Sequence, residues 1–483
     1  MRALDLVIRG GTVVTGTDAV LTDVGVSDGL VTAIGRDLGP AEETVDATGM
    51  LVMPGGVDSH VHLDQPPVGA EMCDGFDTGT ASAAAGGTTT VVAFAWQTKG
   101  SSLLATVADY HQRANQARVD YAFHMTITDP TPTVLKEELP LLVAEGNRSI
   151  KIFLTYDGVR VDDAQAIRIL AEARRNGALV CVHAEHHDLL AWLTEQLVAA
   201  GLTAPKYHPW AKPMVVEREA VHRIIALAEA LDVPIQVFHV SGAESAEEIA
   251  RAQARGLKVW GETCPQYLVL TAEDLDRPDF EGAKFVFGPP ARTKADQEAL
   301  WRYMRRGVIE VVSSDHSPTR FDATGKKIAG ENAPFHKIPN GIPGLAARLP
   351  VLFTEGVSKG RIDVQTFVRL VSTNPARLFG LHPRKGTIAV GSDADVVIFD
   401  PHKSVTLTNA AMHHGGDFTP YEGYRTQGYP VATYLRGKLV FDGQEVVGPA
   451  GQGRYLARDL YPMIEPLGRF TSPFNPVDRI LTR

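Results

Sequence analysis

Cysteine is scarce and scattered in this chain: three in 483 residues, Cys73, Cys181 and Cys264. An odd, widely spaced set supports neither a disulfide framework nor a cysteine zinc knuckle. Long apolar runs are missing too. None approaches the ~20 residues needed to cross a bilayer, and no apolar core with a small-residue cleavage site stands near the start, so a cytoplasmic protein with no membrane partner is expected. Positive charge is in deficit, with 47 Lys and Arg against 57 Asp and Glu and a net charge of −10. No basic stripe runs through the sequence, so no nucleic-acid partner is expected. Repeats and low-complexity tracts are absent. What is there, 44% apolar and 22% charged residues, is the composition of a folded enzyme.

The two ends of the chain share a style. Short β-prone runs at 5–9, 12–15, 23–26, 30–34 and 51–53 are divided by turns at Gly10-Gly11, Asp28-Gly29 and Gly49. Similar runs return at 395–399, 404–407, 431–436, 439–441 and 445–447. Both sets read as antiparallel β. Short edge strands need partners, so 1–55 and 381–451 are expected to build one small β-sandwich domain together. The middle, 56–380, alternates instead. Eight apolar runs, at 57–60, 88–94, 122–128, 149–153, 178–183, 235–239, 258–262 and 310–314, are separated by helix-like stretches. Strands alternating with helices predict a parallel sheet, and eight of them an α/β fold of the (β/α)8 TIM-barrel type. Long loops follow the seventh and eighth runs. For the tail, 452–483, an oligomer arm and a loose surface segment both stand open.

Chemistry concentrates at Asp58-Ser59-His60-Val61-His62-Leu63-Asp64, which follows an apolar run and a Pro-Gly-Gly turn. Residues two apart on a strand face the same way, so His60 and His62 are expected side by side. A lone His-x-His says little. Here Lys151 lies in the fourth run, His183 ends the fifth, His239 ends the sixth and Asp315 follows the eighth. In a barrel these six residues come to one rim, where such folds place their chemistry. Four imidazoles and a carboxylate suit Zn²⁺, with Mn²⁺ or Co²⁺ as substitutes. Four histidines exceed what one open catalytic zinc takes, and two ions ~3.5–4 Å apart would use them all. A bridge is then needed. An ammonium cannot ligate, but a Lys151 carboxylated by CO₂ offers one anionic oxygen to each ion. A lysine between apolar strand residues is rarely buried without such a reason.

Several segments carry a resemblance that covers nearly the whole chain. They are Met53-Pro54-Gly55-Gly56-Val57-Asp58-Ser59-His60-Val61-His62-Leu63-Asp64, Gly86-Gly87-Thr88-Thr89-Thr90, Ser149-Ile150-Lys151-Ile152-Phe153, Val182-His183-Ala184-Glu185, Thr203-Ala204-Pro205-Lys206-Tyr207-His208, Glu262-Thr263-Cys264-Pro265-Gln266-Tyr267-Leu268, Ile338-Pro339-Asn340-Gly341, and Lys385-Gly386-Thr387-Ile388 with Gly391-Ser392-Asp393-Ala394-Asp395. With these the sequence resembles the dihydropyrimidinase/hydantoinase group of the amidohydrolase superfamily. The resemblance implies a binuclear-metal hydrolase that opens a cyclic amide, a dihydropyrimidine or 5-substituted hydantoin, to an N-carbamoyl amino acid. It implies His60, His62 and Asp315 on one ion, His183 and His239 on the other, and carboxylated Lys151 bridging. It implies Asp315 as the proton carrier, Tyr156 as donor to the oxyanion, and backbone near Gly288 and Asn340 on the ring imide. A homotetramer or dimer is also implied.

Dihydroorotase and allantoinase resemble it as near relatives. Where dihydroorotase carries an arginine two residues beyond its His-x-His, this chain has Asp64, and a carboxylate there is expected to favour a neutral ring. For the loop 63–76, through Leu63, Pro66, Pro67, Val68, Met72 and Phe76, and for Phe153, lining the pocket around a ring substituent and simple loop packing both stand open. Two departures stand out. Phe287-Gly288-Pro289-Pro290 replaces the group's Ser-Pro-Pro, and His186 follows His-Ala-Glu where Asn is usual. His186 is expected beside the ligands or on the surface. Glu262 is expected to pair within the barrel top, Cys264 to be a packed thiol, His316 to point away from Asp315, and His413-His414 to serve an interface or loop. The alternative readings are an allantoinase-like ureide or imide hydrolase and, last, a non-catalytic scaffold.

Overall fold

The structure is a computed structural model that describes residues 4–66 and 69–481. Eight strands lie in sequence order, each parallel to the next: β1 (Gly56–Val61), β2 (Thr88–Trp96), β3 (Asp120–Thr126), β4 (Ser149–Phe153), β5 (Leu179–His183), β6 (Ile235–Val237), β7 (Val259–Thr263) and β8 (Ile309–Val312). The ring closes just past β8. Val61 and His316 form a parallel bridge, and the His62 N–H donates to the His316 carbonyl at 2.8 Å. This is the expected barrel.

Local signals set its helices. Asp162 and Gln165 cap Asp163–Asn176 reciprocally, and Gly177, at φ 70°, ends it in the left-handed conformation that glycine tolerates. Both faces of the strands are covered, so β2 reads as an unbroken buried run, Thr-Thr-Thr-Val-Val-Ala-Phe-Ala-Trp. β1 buries polar groups as well. Asp58 is fully buried, pairs with buried Arg348 at 3.2 Å, and accepts the Ser314 N–H, which joins the first strand to the end of the last.

The chain ends form two further sheets. One runs in the order Leu30–Gly35, Asp23–Ser27, Leu4–Arg9, Ala41–Asp46. The other runs Lys438–Phe441, Arg425–Leu435, Val396–Thr406, Leu51–Pro54, Thr12–Val14, Ala19–Leu21. Strands from both ends meet where Leu51–Pro54 pairs with Val396–Thr406. The pairing is not wholly antiparallel, as expected from the turns. Leu4–Arg9 runs parallel to Ala41–Asp46, and Thr12–Val14 parallel to Leu51–Pro54. The chain crosses to the other sheet between these partners and returns in the same direction, a crossing that turn residues do not reveal. The run 445–447 contributes only a bridge between Val446 and Phe441.

Buried ions join these sheets to the barrel. Asp120 of β3 holds Lys385 at 2.6 Å, Lys385 holds Asp395 at 2.7 Å, and Arg436 also reaches Asp120. The tail returns across its own barrel. Tyr455 bridges to Tyr121, and buried Arg458 donates to the Ser149 hydroxyl at 3.0 Å and the Phe123 carbonyl at 2.7 Å.

Candidate metal centre

The carboxyl ends of the strands surround a cavity of about 340 Å³, whose walls include His60, His62, Lys151, His183, His239 and Asp315. All six residues expected at one rim are therefore brought together. The ligand atoms of His60, His62 and Asp315 lie within 4.8 Å of one another. Asp315 Oδ1 stands 3.0 Å from His60 Nε2 and 3.3 Å from His62 Nε2. The rings of His183 and His239 stand 4.4 Å apart, centre to centre, and His239 is 5.3 Å from His60.

Neighbours orient the ligands. His60 Nδ1 meets Glu262 Oε1 at 2.7 Å, leaving Nε2 toward Asp315. Gln65 binds His62 Nδ1 at 2.8 Å. Such outer contacts fix which ring nitrogen faces a metal. Two of the site residues, His239 (φ 41°) and Asp315 (φ 49°), hold left-handed backbone, a strain of about 1–3 kcal/mol each that surrounding structure must sustain.

The electrostatics suit cation binding. Burial pulls the pKa of His62 and His183 down to about 4, and that of His239 well below its usual value, so these imidazoles are neutral at pH 7, the form that can bind a metal. Burial opposes ionisation of Asp315, but His60, His62 and His239 outweigh it and hold the carboxyl well below its usual range. Burial lowers Lys151 to about 8, where a neutral amine becomes accessible. Four buried nitrogens here make no hydrogen bond: His60 Nε2, Lys151 Nζ and both ring nitrogens of His239. Each unmet polar group costs about 1–3 kcal/mol. A divalent cation among His60, His62 and Asp315 fits both the donor set and the unmet His60 Nε2. Lys151 Nζ lies against rings, 4.2 Å from the centre of Phe238 and 4.8 Å from Phe153, within the field of Asp315 and Glu262.

A second constellation borders the first. Tyr156 lines the cavity, with left-handed backbone at φ 72°. Its hydroxyl accepts from Lys212 Nζ at 3.0 Å and lies 3.3 Å from Glu185 Oε2. Glu185 also holds Lys212 at 2.8 Å and His183 Nε2 at 2.8 Å. Burial opposes its ionisation, but Lys212 and His183 outweigh burial and hold the carboxyl far below its usual range. Gly288 closes this corner. A Cβ there would fall 2.2 Å from Tyr156 Oη and 2.9 Å from Lys212 Nζ. Glu185 and Lys212 escaped the sequence reading. Glu185, two residues past His183, could have been found by strand periodicity; Lys212 arrives on a separate helical turn and carries no local signal.

Gly288, Asn340 and Phe153 also line the cavity, as do Pro66 and Met72. Leu63 does not. It is fully buried in the hydrophobic core, against Gly79, because the chain turns outward only after it. Phe76 likewise packs away from the cavity, among Tyr110, Tyr121 and Phe123. Pro67 and Val68 lie outside the described residues. The Asp64 carboxylate accepts the Phe76 N–H at 2.8 Å at the start of helix Phe76–Ala85 and is not among the cavity walls, so it cannot select substrate charge as expected. His316 turns to Asp74 at 2.9 Å, away from the ligands. His186 caps helix His187–Ala199, accepting the Leu189 N–H. Cys264 is buried beside Ser313. His414 accepts the Gly416 N–H within its own loop.

Comparison with known proteins shows the family. The amidohydrolase family profile matches residues 51–440. A D-hydantoinase of Ralstonia pickettii is 45% identical over 460 residues, covering 95% of this chain and 100% of that one. A D-hydantoinase of Geobacillus stearothermophilus is 44% identical, covering 94% and 96%. The crystal structure of a dihydropyrimidinase from Brevibacillus agri superposes with a TM-score of 0.91 at 44% identity, covering 94% of this chain and 99% of that one.

Proposed function

The chain belongs to the amidohydrolase family, in its hydantoinase and dihydropyrimidinase group, and from that premise we propose that it hydrolyses a neutral cyclic amide, a dihydropyrimidine or 5-substituted hydantoin, to an N-carbamoyl amino acid. The observation that carries this reading is the convergence of four histidines, Lys151 and Asp315 on one cavity wall. His60, His62 and Asp315 would hold one ion, His183 and His239 a second, and carboxylated Lys151 would bridge them, with zinc the natural occupant and manganese or cobalt substitutes. Bound there, divalent ions supply Lewis acidity and a hydroxide available near neutral pH.

The chain's own groups do the rest. Tyr156 Oη accepts from Lys212 and donates to Glu185 Oε2 at 3.3 Å; turned from Glu185, that proton would donate to the oxygen of the carbonyl under attack. Asp315 takes the proton released by the attacking water and delivers it to the ring nitrogen as the C–N bond breaks. Backbone at Gly288 and Asn340 meets the imide edge of the ring. Phe153, Trp96 and Met72 supply apolar wall for a ring substituent. A neutral substrate is supported by the wall itself. Among the described residues lining the cavity, Lys151 is the one lysine or arginine, and it is committed to the ions.

The same reading extends to the whole molecule. Residues 1–55 and 381–451 would form one β-sandwich domain and 56–380 the hydrolase barrel. A homo-oligomer, tetramer or dimer, is supported by helix His187–Ala199, which buries none of its residues and leaves Trp192 56% exposed. Residues 452–483 would contribute to such an assembly. Three free cysteines suit the reducing cytoplasm.

The test joins metal analysis of the purified protein to a spectrophotometric panel of dihydrouracil, dihydrothymine, hydantoin, 5-phenylhydantoin, allantoin, dihydroorotate and a simple imide. Close to two ions per chain and turnover of a dihydropyrimidine or hydantoin are expected. Metal content near zero would overturn the reading, and turnover confined to allantoin or the imide would transfer it to those rings.

A further inference from the structure

Lys326 is a fully buried cation, and among the described residues no carboxylate reaches it. Its ammonium is held instead by three backbone carbonyls, those of Val286, Pro339 and Gly341, each at 2.7 Å. Burying an unpaired charge is expensive, and a chain that needed only to fill this space would do so with an apolar side chain. Three acceptors match the three donors of an ammonium. Burial pulls the Lys326 pKa down to about 7, and the acceptors favour the three-donor cation over the two-donor amine.

The location gives the arrangement its meaning. Val286 stands two residues before Gly288, and Pro339 and Gly341 flank Asn340. Phe287, Gly288, Pro339, Asn340 and Gly341 all line the catalytic cavity. The two segments come from different loops, one after β7 and one after β8. Between them run only a few direct ties, such as the Gly341 N–H to the Val286 carbonyl at 3.2 Å. Gly341 sits at φ 124° with Ser317 against the place a Cβ would occupy, so the turn that presents its carbonyl to Lys326 requires glycine.

We propose that Lys326 is a positioning residue for substrate binding: its ammonium ties the Val286–Gly288 and Pro339–Gly341 backbones at the spacing that grips the imide edge of the ring. This rests on the cyclic-amide reading for its substrate, but the tie itself is a property of the loops. It acts on ring binding and leaves the metal ligands alone, since Lys326 touches none of them.

The experiment uses the metal-loaded enzyme with Lys326→Met and the milder Lys326→Gln, which retains two donors, beside wild type. With the best substrate of the panel, KM is expected to rise at least tenfold in Lys326→Met and less in Lys326→Gln, with kcat changed under threefold and metal content unchanged. Hydrogen exchange is read in parallel at peptides spanning 284–290 and 338–344. Exchange there is expected to quicken at least tenfold while β1–β5 keep wild-type protection. An unchanged KM, or a fall in kcat with KM unmoved, overturns the role in substrate binding. Unchanged exchange in both loops overturns the tie itself, even if the enzyme turns over none of the panel rings. Should Lys326→Met fail to fold, the same two readouts on Lys326→Gln decide.

Discussion

Gly288 offers the sharpest test of the corner built around Tyr156. Replace it with alanine. The new Cβ would stand 2.2 Å from Tyr156 Oη, where a relaxed carbon–oxygen contact needs roughly 3.3 Å by ordinary van der Waals packing. Relief requires the hydroxyl to withdraw by about 1 Å. The backbone of Tyr156, already left-handed at φ 72°, has little freedom to follow, so the ring must swing. Lys212 Nζ, 2.9 Å from the same Cβ, is crowded too and would lose its 3.0 Å bond to the hydroxyl. A misplacement of about 1 Å in a positioned catalytic group costs on the order of 10²-fold in rate, which is about 2.7 kcal/mol of transition-state stabilisation. Steady-state kinetics of Gly288→Ala should therefore show kcat down about 100-fold. Metal content should match wild type, because His183 keeps Glu185. Tyr156→Phe should fall by a similar factor, and combining the two should add little. Wild-type kcat in Gly288→Ala, or full additivity with Tyr156→Phe, would refute the placement of the oxyanion donor here.

Two further outcomes follow from the same structure. Lys151→Ala should lose both metal, by elemental analysis, and activity, with partial recovery in small carboxylic acids that occupy the vacated bridge; full activity without them would remove the bridge. Asp120→Asn tests the buried ions that join sandwich to barrel. Burial opposes ionisation of Asp120, but Lys385 and Arg436 outweigh it and lower its pKa. A depressed pKa in the folded state gives stability that is present above the unfolded value of ~3.9 and lost as pH falls through the folded one. Urea melts of wild type should therefore weaken on acidification below about pH 4, and Asp120→Asn should lack this component. It should also cost about 1.5–3 kcal/mol at pH 7, the loss of charge-assisted hydrogen bonds while Lys385 keeps Asp393 and Asp395. A loss under 1 kcal/mol would show that the cluster does not bind the two parts together.

Much of this molecule follows from local pattern. The alternation of eight apolar runs with helix-like stretches specified the barrel, since parallel strands buried on both faces must read as continuous apolar runs. It placed His60, His62, His183, His239 and Asp315 at or just past strand ends and Lys151 within the fourth strand, and a barrel brings these to one rim. Side-chain periodicity on a strand is short-ranged, so these residues could be named from the chain alone. The limits were those of contacts between distant segments. Which way Leu63 and Asp64 turn is decided by the packing of helix Phe76–Ala85 against them, and the sequence motif wrongly placed Asp64 in the pocket and left Leu63 open to it. Two parallel pairings in the outer sheets depended on a crossing between layers. Lys212 reaches Tyr156 across 56 residues, and Lys326 reaches Val286 across 40. Such pairings cost chain entropy that only the complete fold offsets, and no spacing in the sequence encodes them. The linear pattern thus determined the barrel and the six polar residues at its rim, while tertiary packing alone decided what surrounds, orients and spaces them.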